Sequence, residues 1–279
     1  MSASAIDPAP ILEAAFWMDE AAGMSFLRSG RSALKLALLA CRLRGDDHVL
    51  IITTTGGRYV SSCVTQEIEK ICAWSHVAQP NTKAVVVIHE FGIPCERIEE
   101  VRELGVPVIE DCAYGAGTRI AGGAVGNFGD FVLYSLPKYF PLPFGGILAG
   151  RKVFDVDLVR EELPSPQSVA LMKKCLLHAG PLTREWNRKR RENWQYFASH
   201  CCEKGRAFFE LADNTVPGAY VSTLSPGTAG SAVKMRCVQN GIESTEYYGM
   251  GGFYFPVHQF LTDFERDYIL HHYLQGHAL

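Results

Sequence analysis

The sequence predicts an α/β fold built on a mainly parallel sheet with helices on both faces, followed by a small α+β lobe. Two observations carry this. Runs such as "HVLIITT", "TKAVVVIH" and "VPVIED" are apolar throughout rather than alternating, as strands buried on both faces are. Helical segments separate them, which is the order that parallel connections require. A third observation is a change of character after residue 150, where the strand–helix alternation gives way to a long basic helix and a Pro- and Gly-punctuated tail.

Taken in order, "GRSALKLALLACRLRGDD" predicts a helix opening after Gly30, apolar almost all round and so buried on several sides. The strand "HVLIITT" and a helix over "TQEIEKICAW" follow. Next come the strand "TKAVVVIH" and an amphipathic helix over "CERIEEVRELG", closed by a glycine. "VPVIED" ends on two adjacent carboxylates, Glu110 and Asp111, before a small-residue loop, and "DFVLYSL" and "GGILAG" supply two more strands. "REWNRKRRENWQYFASHCC" is a long helix whose basic cluster is expected to be a solvated face.

Bulk properties narrow the function classes. The 279 residues suffice for one large domain or a large and a small one, and 47% hydrophobic with 20% charged residues is ordinary for a packed globule. A formal charge of -3 gives no general attraction to nucleic acid or anionic membranes. No apolar run is long enough to span a bilayer, and the N-terminal stretch lacks a signal-peptide pattern. The nine cysteines include the adjacent pair Cys201–Cys202 but no CxxC pair, which fits free thiols in a reducing cytoplasm better than disulfides or a zinc site. His271 and His272 have no companion ligand at metal spacing, so no metal is expected.

The candidate chemistry lies at strand ends, where ligands of open α/β sheets sit. Asp111 needs a partner, because an unpaired buried carboxylate is costly. Lys138, just past the next strand, is a candidate buried amine with a depressed pKa. A plain salt bridge between the two, or a surface lysine, is the alternative. The amides of Arg31 and Ser32, after Gly30 at a helix start, are candidate phosphate donors, and Ser135 adds a hydroxyl. Phosphate clamp, carboxylate and amine together suit pyridoxal phosphate, whose aldehyde condenses with a lysine while an acid faces its ring nitrogen.

"RSGRSALKLALLA", "TKAVVVIHEFGIP", "GVPVIEDCAYGAG", "GNFGDFVLYSLPKYF", "FGGILAG" and "YFPVHQFLTDFE" occur in that order. Together they resemble the DegT/DnrJ/EryC1/StrS sugar aminotransferases, of the fold type I (aspartate aminotransferase) class, over residues 27 to 266. The resemblance implies a large pyridoxal-phosphate-binding domain (1–180) and a small C-terminal domain (181–279). It implies Asp111 at the pyridine nitrogen, Lys138 as the lysine that binds the aldehyde and shuttles the proton, and Ser135, Gly30, Arg31 and Ser32 at the phosphate. Tyr59 is the candidate for stacking on the ring, with a core or lid tyrosine as the alternative. His89 is expected to be hydrogen-bonded at a strand end, and His258 is assigned no chemistry.

Departures from the family pattern are visible. Tyr114 stands where the family has a glutamine facing the cofactor's phenolic oxygen. Only three positions separate Ser135 from Lys138, and Pro141 and Pro143 replace glycines after the lysine. The interval from Cys63 to Thr82 looks too short for the family's extra strand and its crossover, and no asparagine-bearing loop is found between 150 and 181.

The implied function is amino transfer from an amino acid to a keto substrate such as a nucleotide-linked keto-sugar, in a cytoplasmic homodimer that binds no nucleic acid and no membrane. Another pyridoxal-phosphate reaction (elimination, racemisation, cyclisation) and a non-catalytic binding relative stay open.

Overall fold

In the computed structural model, the described residues are 23–120, 123–150, 155–201 and 204–277. The N-terminal stretch and Cys202 therefore lie outside them. A seven-stranded sheet runs in the order β1-β9-β8-β5-β4-β2-β3. Its strands are β1 (Met24–Leu27), β2 (His48–Thr53), β3 (Ala73–Ser75), β4 (Thr82–Ile88), β5 (Val108–Asp111), β8 (Phe131–Ser135) and β9 (Gly146–Gly150). The pairings β3–β2, β2–β4, β4–β5 and β5–β8 are parallel, whereas β9 is antiparallel to both β8 and β1. A two-stranded hairpin, β6 (Arg119–Ile120) and β7 (Gly123–Ala124), interrupts the path from β5 to β8.

Both sheet faces are covered, which explains the unbroken apolar runs. Ile51, Val86, Ile109, Leu133 and Leu148 pack on the buried side of α1 (Gly30–Ala40). Their neighbours Leu50, Ile52, Val85, Val87 and Val108 pack on the opposite face, against Ile98 and Val101 of α3 (Ile98–Arg102). Helix α1 meets its expectation, with Ser32, Ala33, Leu34, Leu36, Ala37 and Leu38 all buried.

Two expectations need correction. The helix after β2, α2, spans Ser62–Glu69 rather than 65–74, because Ser61 caps it and Ala73–Ser75 is instead drawn into the sheet edge beside β2. A short helix and a strand thus do fit between Cys63 and Thr82. Strand β1 and the helix α4 (Pro166–Ala179), capped by Ser165, lie in segments that carried no specific expectation.

A second layer follows. Strands β10 (Ala219–Thr223), β11 (Thr245–Tyr247) and β12 (Gly252–Pro256) form an antiparallel sheet in the order β10-β12-β11. It shares a core with α5 (Thr183–His200), α6 (Gly230–Gln239) and α7 (Asp263–Gly276) through Phe197, Tyr220, Val233, Phe255 and Tyr273. Helix α5 joins the two cores: Trp186 belongs to the cluster that holds Tyr134 and Ile147 of the large sheet, and Trp194 to that of the small lobe. Its basic cluster is not wholly solvated. Arg188 pairs with Glu185 and Glu192 at the surface, but Arg190 is only 2% exposed.

Candidate active site

A cavity of about 540 Å3 opens at the carboxyl ends of β4, β5 and β8. Gly30, Arg31, Tyr59, Asp111, Tyr114, Ser135 and Lys138 all line it. Of the residues picked from the sequence, Ser32 is the one outside it. Its amide donates to the Ser29 side chain at the helix cap (3.1 Å), and its hydroxyl donates to Glu162 (2.9 Å). The Ser32 amide is thus taken up by the helix cap. Gly30 and Arg31 are the α1 N-terminal residues at the cavity.

One end of the cavity is made by close approach. A Cβ on Gly30 would lie 2.9 Å from the Ser135 Cβ, and one on Gly146 would lie 2.2 Å from the Ser29 carbonyl oxygen. Glycine at both positions lets the α1 N-terminus, with its partial positive charge, converge on the end of β8. The Arg31 guanidinium donates to the Cys63 thiol at 3.0 Å. Burial raises the Cys63 pKa, but Arg31, Ser61 and Lys138 outweigh it and hold the thiol below its ordinary value.

Strand alternation sends the two carboxylates of β5 opposite ways. Glu110 is fully buried and accepts the His89 ring N–H (2.9 Å) and the amides of Gly126, Phe128 (3.1 Å) and Gly129 (2.8 Å). His89 accepts the Cys95 amide on Nδ1, so its proton sits on Nε2, toward Glu110. The expected strand-end histidine is thus hydrogen-bonded on both nitrogens, although it also reaches the cavity wall. Burial pushes Glu110 up, but His89 and the amides leave it below its ordinary pKa.

Asp111 faces the cavity from the same side of the sheet as Ile109 and Leu133. It is 7% exposed, and its Oδ1 accepts the Ala113 amide at 2.9 Å. Burial raises its pKa despite that amide and His89, and no ion pair reaches it among the described residues. Lys138 lies on a single 3-10 turn, Leu136–Lys138, directly after β8. It is exposed in the open cavity, not buried as expected, and its Nζ lies 4.8 Å from the Tyr114 ring centroid. Burial pulls the amine down, but the Tyr114 hydroxyl, with Glu243 and Cys63, places it above its ordinary pKa, contrary to the expected depression. Asp111 and Lys138 share a cavity without an ion pair between them, so the plain salt-bridge alternative is not what the structure has.

The far wall is aromatic. Tyr59 and Tyr254 are joined through their hydroxyls at 3.0 Å. Phe91 packs on Tyr254 with ring centroids 4.6 Å apart, at a backbone φ of +56° that is unusual for a non-glycine residue. Glu90 accepts from Tyr247 (2.6 Å) and from the amide and hydroxyl of Thr55 (2.9 Å each), tying the small lobe to the loop after β2. Glu90, Tyr254 and Cys63 were not singled out from sequence, since nothing in their spacing links them.

Comparison with known proteins places this arrangement. The chain has the fold of the pyridoxal-phosphate-dependent aminotransferases. It superposes on an aminotransferase from Streptoalloteichus hindustanus with a TM-score of 0.71 at 18% identity, over 92% of this chain and 86% of that one. A Brucella abortus DegT DnrJ EryC1 StrS aminotransferase gives 0.69 at 15% identity, over 96% and 90%. Residues 68–142 match the model of the DegT/DnrJ/EryC1/StrS aminotransferase family. That stretch is narrower than the resemblance read over 27 to 266.

Among curated proteins, a UDP-N-acetyl-3-dehydro-alpha-D-glucosamine 3-aminotransferase of Acidithiobacillus ferrooxidans is 32% identical over 129 residues, 40% of this chain and 34% of that protein. GDP-perosamine synthase of Vibrio cholerae is 34% identical over 127 residues, 38% and 34% of the two chains. A Streptomyces 5'-C-glycyluridine monooxygenase-decarboxylase is 33% identical over 114 residues, 36% and 26%. The matches thus span about a third or less of these relatives' lengths.

Proposed function

We propose that the chain binds pyridoxal phosphate and transfers an amino group from an amino acid to the keto group of a sugar-like acceptor. The observation that carries this reading is the joint placement of Asp111 and Lys138 around one cavity, unpaired with each other, beside a helix N-terminus and Ser135. The site fits the cofactor chemically. A buried carboxylate with a raised pKa and no basic partner among the described residues calls for a cationic group, and a protonated pyridine nitrogen is one. Gly30, Arg31 and Ser135 would hold the phosphate, and Tyr59 is the stacking candidate.

When bound, the cofactor supplies an electron sink that acidifies the Cα–H of the amino acid. Lys138 would be the amine that holds the aldehyde and the base that moves a proton at the substrate carbon. Asp111 would face the ring nitrogen and favour its protonated form, and Tyr114 stands beside the Lys138 amine. The aromatic wall of Phe91, Tyr59 and Tyr254 would offer ring faces and the paired phenolic hydroxyls of the two tyrosines to a polyhydroxylated acceptor. Relatives named as 3-aminotransferase and perosamine synthase support the sugar acceptor.

Absorbance spectroscopy tests the reading. Wild-type protein incubated with pyridoxal phosphate should turn yellow, and Lys138→Ala should not. Glutamate should then bleach the band, and a keto-sugar nucleotide should restore it. Protein that stays colourless points to a non-catalytic relative.

A second reading keeps the cofactor and changes the reaction, favoured by the relative named as a monooxygenase-decarboxylase. A yellow band that amino donors leave unbleached would select it. A cytoplasmic homodimer is part of the proposal, supported by the family match over residues 68–142, and light scattering measures the mass. No described helix is long and apolar enough to cross a membrane.

A further inference from the structure

Helix α5 presents Thr183, Asn187 and Arg190 at intervals of four and three, one face of a helix, and all three are at most 3% exposed. Each addresses the turn that carries Lys138. The Tyr139 hydroxyl meets the Asn187 side chain and the Thr183 carbonyl. The Arg190 Nη2 donates to the backbone carbonyl of Lys138 itself at 2.7 Å, and its Nε donates to Gln259 Oε1 at 2.7 Å. Gln259 in turn donates its Nε2 to the Tyr139 carbonyl at 2.8 Å. The guanidinium also lies over the Tyr139 ring, 4.8 Å from its centroid. No carboxylate pairs with Arg190 among the described residues.

We infer that Arg190, acting with Gln259, is the positioning residue for Lys138: a fork from the small lobe that fixes two consecutive carbonyls of the lysine turn. The turn needs such support. Its own backbone bonds, Tyr139 and Phe140 amides to the Leu136 carbonyl, occupy neither the Lys138 nor the Tyr139 carbonyl. The chain then leaves through "PLP", where Pro141 and Pro143 have no amide to donate. Burying an arginine without a carboxylate is unfavourable, and what this one gains is geometry: the planar fork reaches two acceptors where an ammonium offers a point charge. The same face also supports the loop after Asp111. A Cβ on Gly117, at φ +85°, would lie 2.6 Å from the Asn187 amide nitrogen, so the helix backs both the carboxylate loop and the lysine turn.

This inference rests on Lys138 being the cofactor lysine, and the test separates the two ideas. Lys138 is labelled with trace acetic anhydride in cofactor-free protein and scored by peptide mass against the other lysines. In parallel, pyridoxal phosphate is trapped on Lys138 with borohydride. Arg190→Ala, folded by thermal melt, should change Lys138 labelling relative to the other lysines and slow trapping by about tenfold to a hundredfold. Millimolar guanidinium should restore both, and equal sodium chloride should not. Arg190→Lys should behave like Arg190→Ala; wild-type behaviour would overturn the fork. If Arg190→Ala does not fold, Gln259→Leu is read in the same way. Unchanged labelling and trapping in a folded variant overturns the inference. Absence of trapping in wild type sinks the cofactor reading, while the anhydride arm still judges the positioning.

Discussion

Glu110 and Asp111 are neighbours in one strand and leave it on opposite faces, one locked among four donors and the other open to a cavity. The pair looks like a unit in the sequence, but its members have different tasks. Glu110 orders the loop over 126–129 and orients His89, and Asp111 faces the cavity with no ion pair among the described residues.

Removing Glu110 should therefore act on stability. Glu110→Ala strips the acceptor from three backbone amides and the buried His89, and should lower the unfolding free energy by about 3–5 kcal/mol in urea titrations. Because its folded pKa lies below the ordinary 4.5, its contribution is present above that value and is lost as pH falls through the folded pKa. The wild-type excess stability over Glu110→Gln should shrink in acid and not in base. A stability gap unchanged down to acid pH would contradict the assignment.

Asp111 has the opposite sign. Its folded pKa is raised above 3.8, so in cofactor-free protein its carboxylate works against folding once pH rises through that folded value. Asp111→Asn should stabilise the cofactor-free form by about 1–2 kcal/mol at neutral pH, and the gain should vanish below 3.8. The same variant should weaken pyridoxal phosphate binding at least ~10-fold, equivalent to about 1.4 kcal/mol. A variant less stable than wild type at neutral pH would refute the idea that the carboxylate lacks a partner.

Gly30→Ala tests the phosphate end. Its methyl would sit 2.9 Å from the Ser135 Cβ, so helix and strand must separate. Overpacking of this kind costs about 1–3 kcal/mol. Titration with inorganic phosphate and with pyridoxal phosphate should show both weakened together, and weakening of the second alone would place the anion elsewhere.

The Cys63 thiol should alkylate faster than the buried cysteines at pH 8, and Arg31→Met should slow it several-fold, because the guanidinium 3.0 Å away favours the thiolate. Bound pyridoxal phosphate should protect it, since both residues line the cavity. Mass spectrometry of iodoacetamide-treated protein reads each effect, and an Arg31→Met rate equal to wild type would remove Arg31 as the cause.

Much of this was legible beforehand. Unbroken apolar strands alternating with helices require a sheet buried on both faces, and strand periodicity puts Asp111 at a carboxyl end. The placement of Lys138 just past the next strand needed nothing further. Two local errors, the helix carried through Ala73 and the buried state of Lys138, arose because propensity does not register a sheet edge or an open cavity. Other features depend on partners distant in sequence. Ser32 bonds to Ser29 and to Glu162, 130 residues away. Arg190 looked like one more surface charge until the fold set it 2.7 Å from a carbonyl 52 positions earlier.

The sequence alone determined the class of fold and which residue types gather at its strand ends, since periodicity and chain order suffice for both. Tertiary structure decided which of the two acids faces the ligand space, which amides stay available and what steadies the lysine. Those are questions of which group meets a buried donor or charge first, and hydrogen-bond partners far apart in the chain are set only when the layers close.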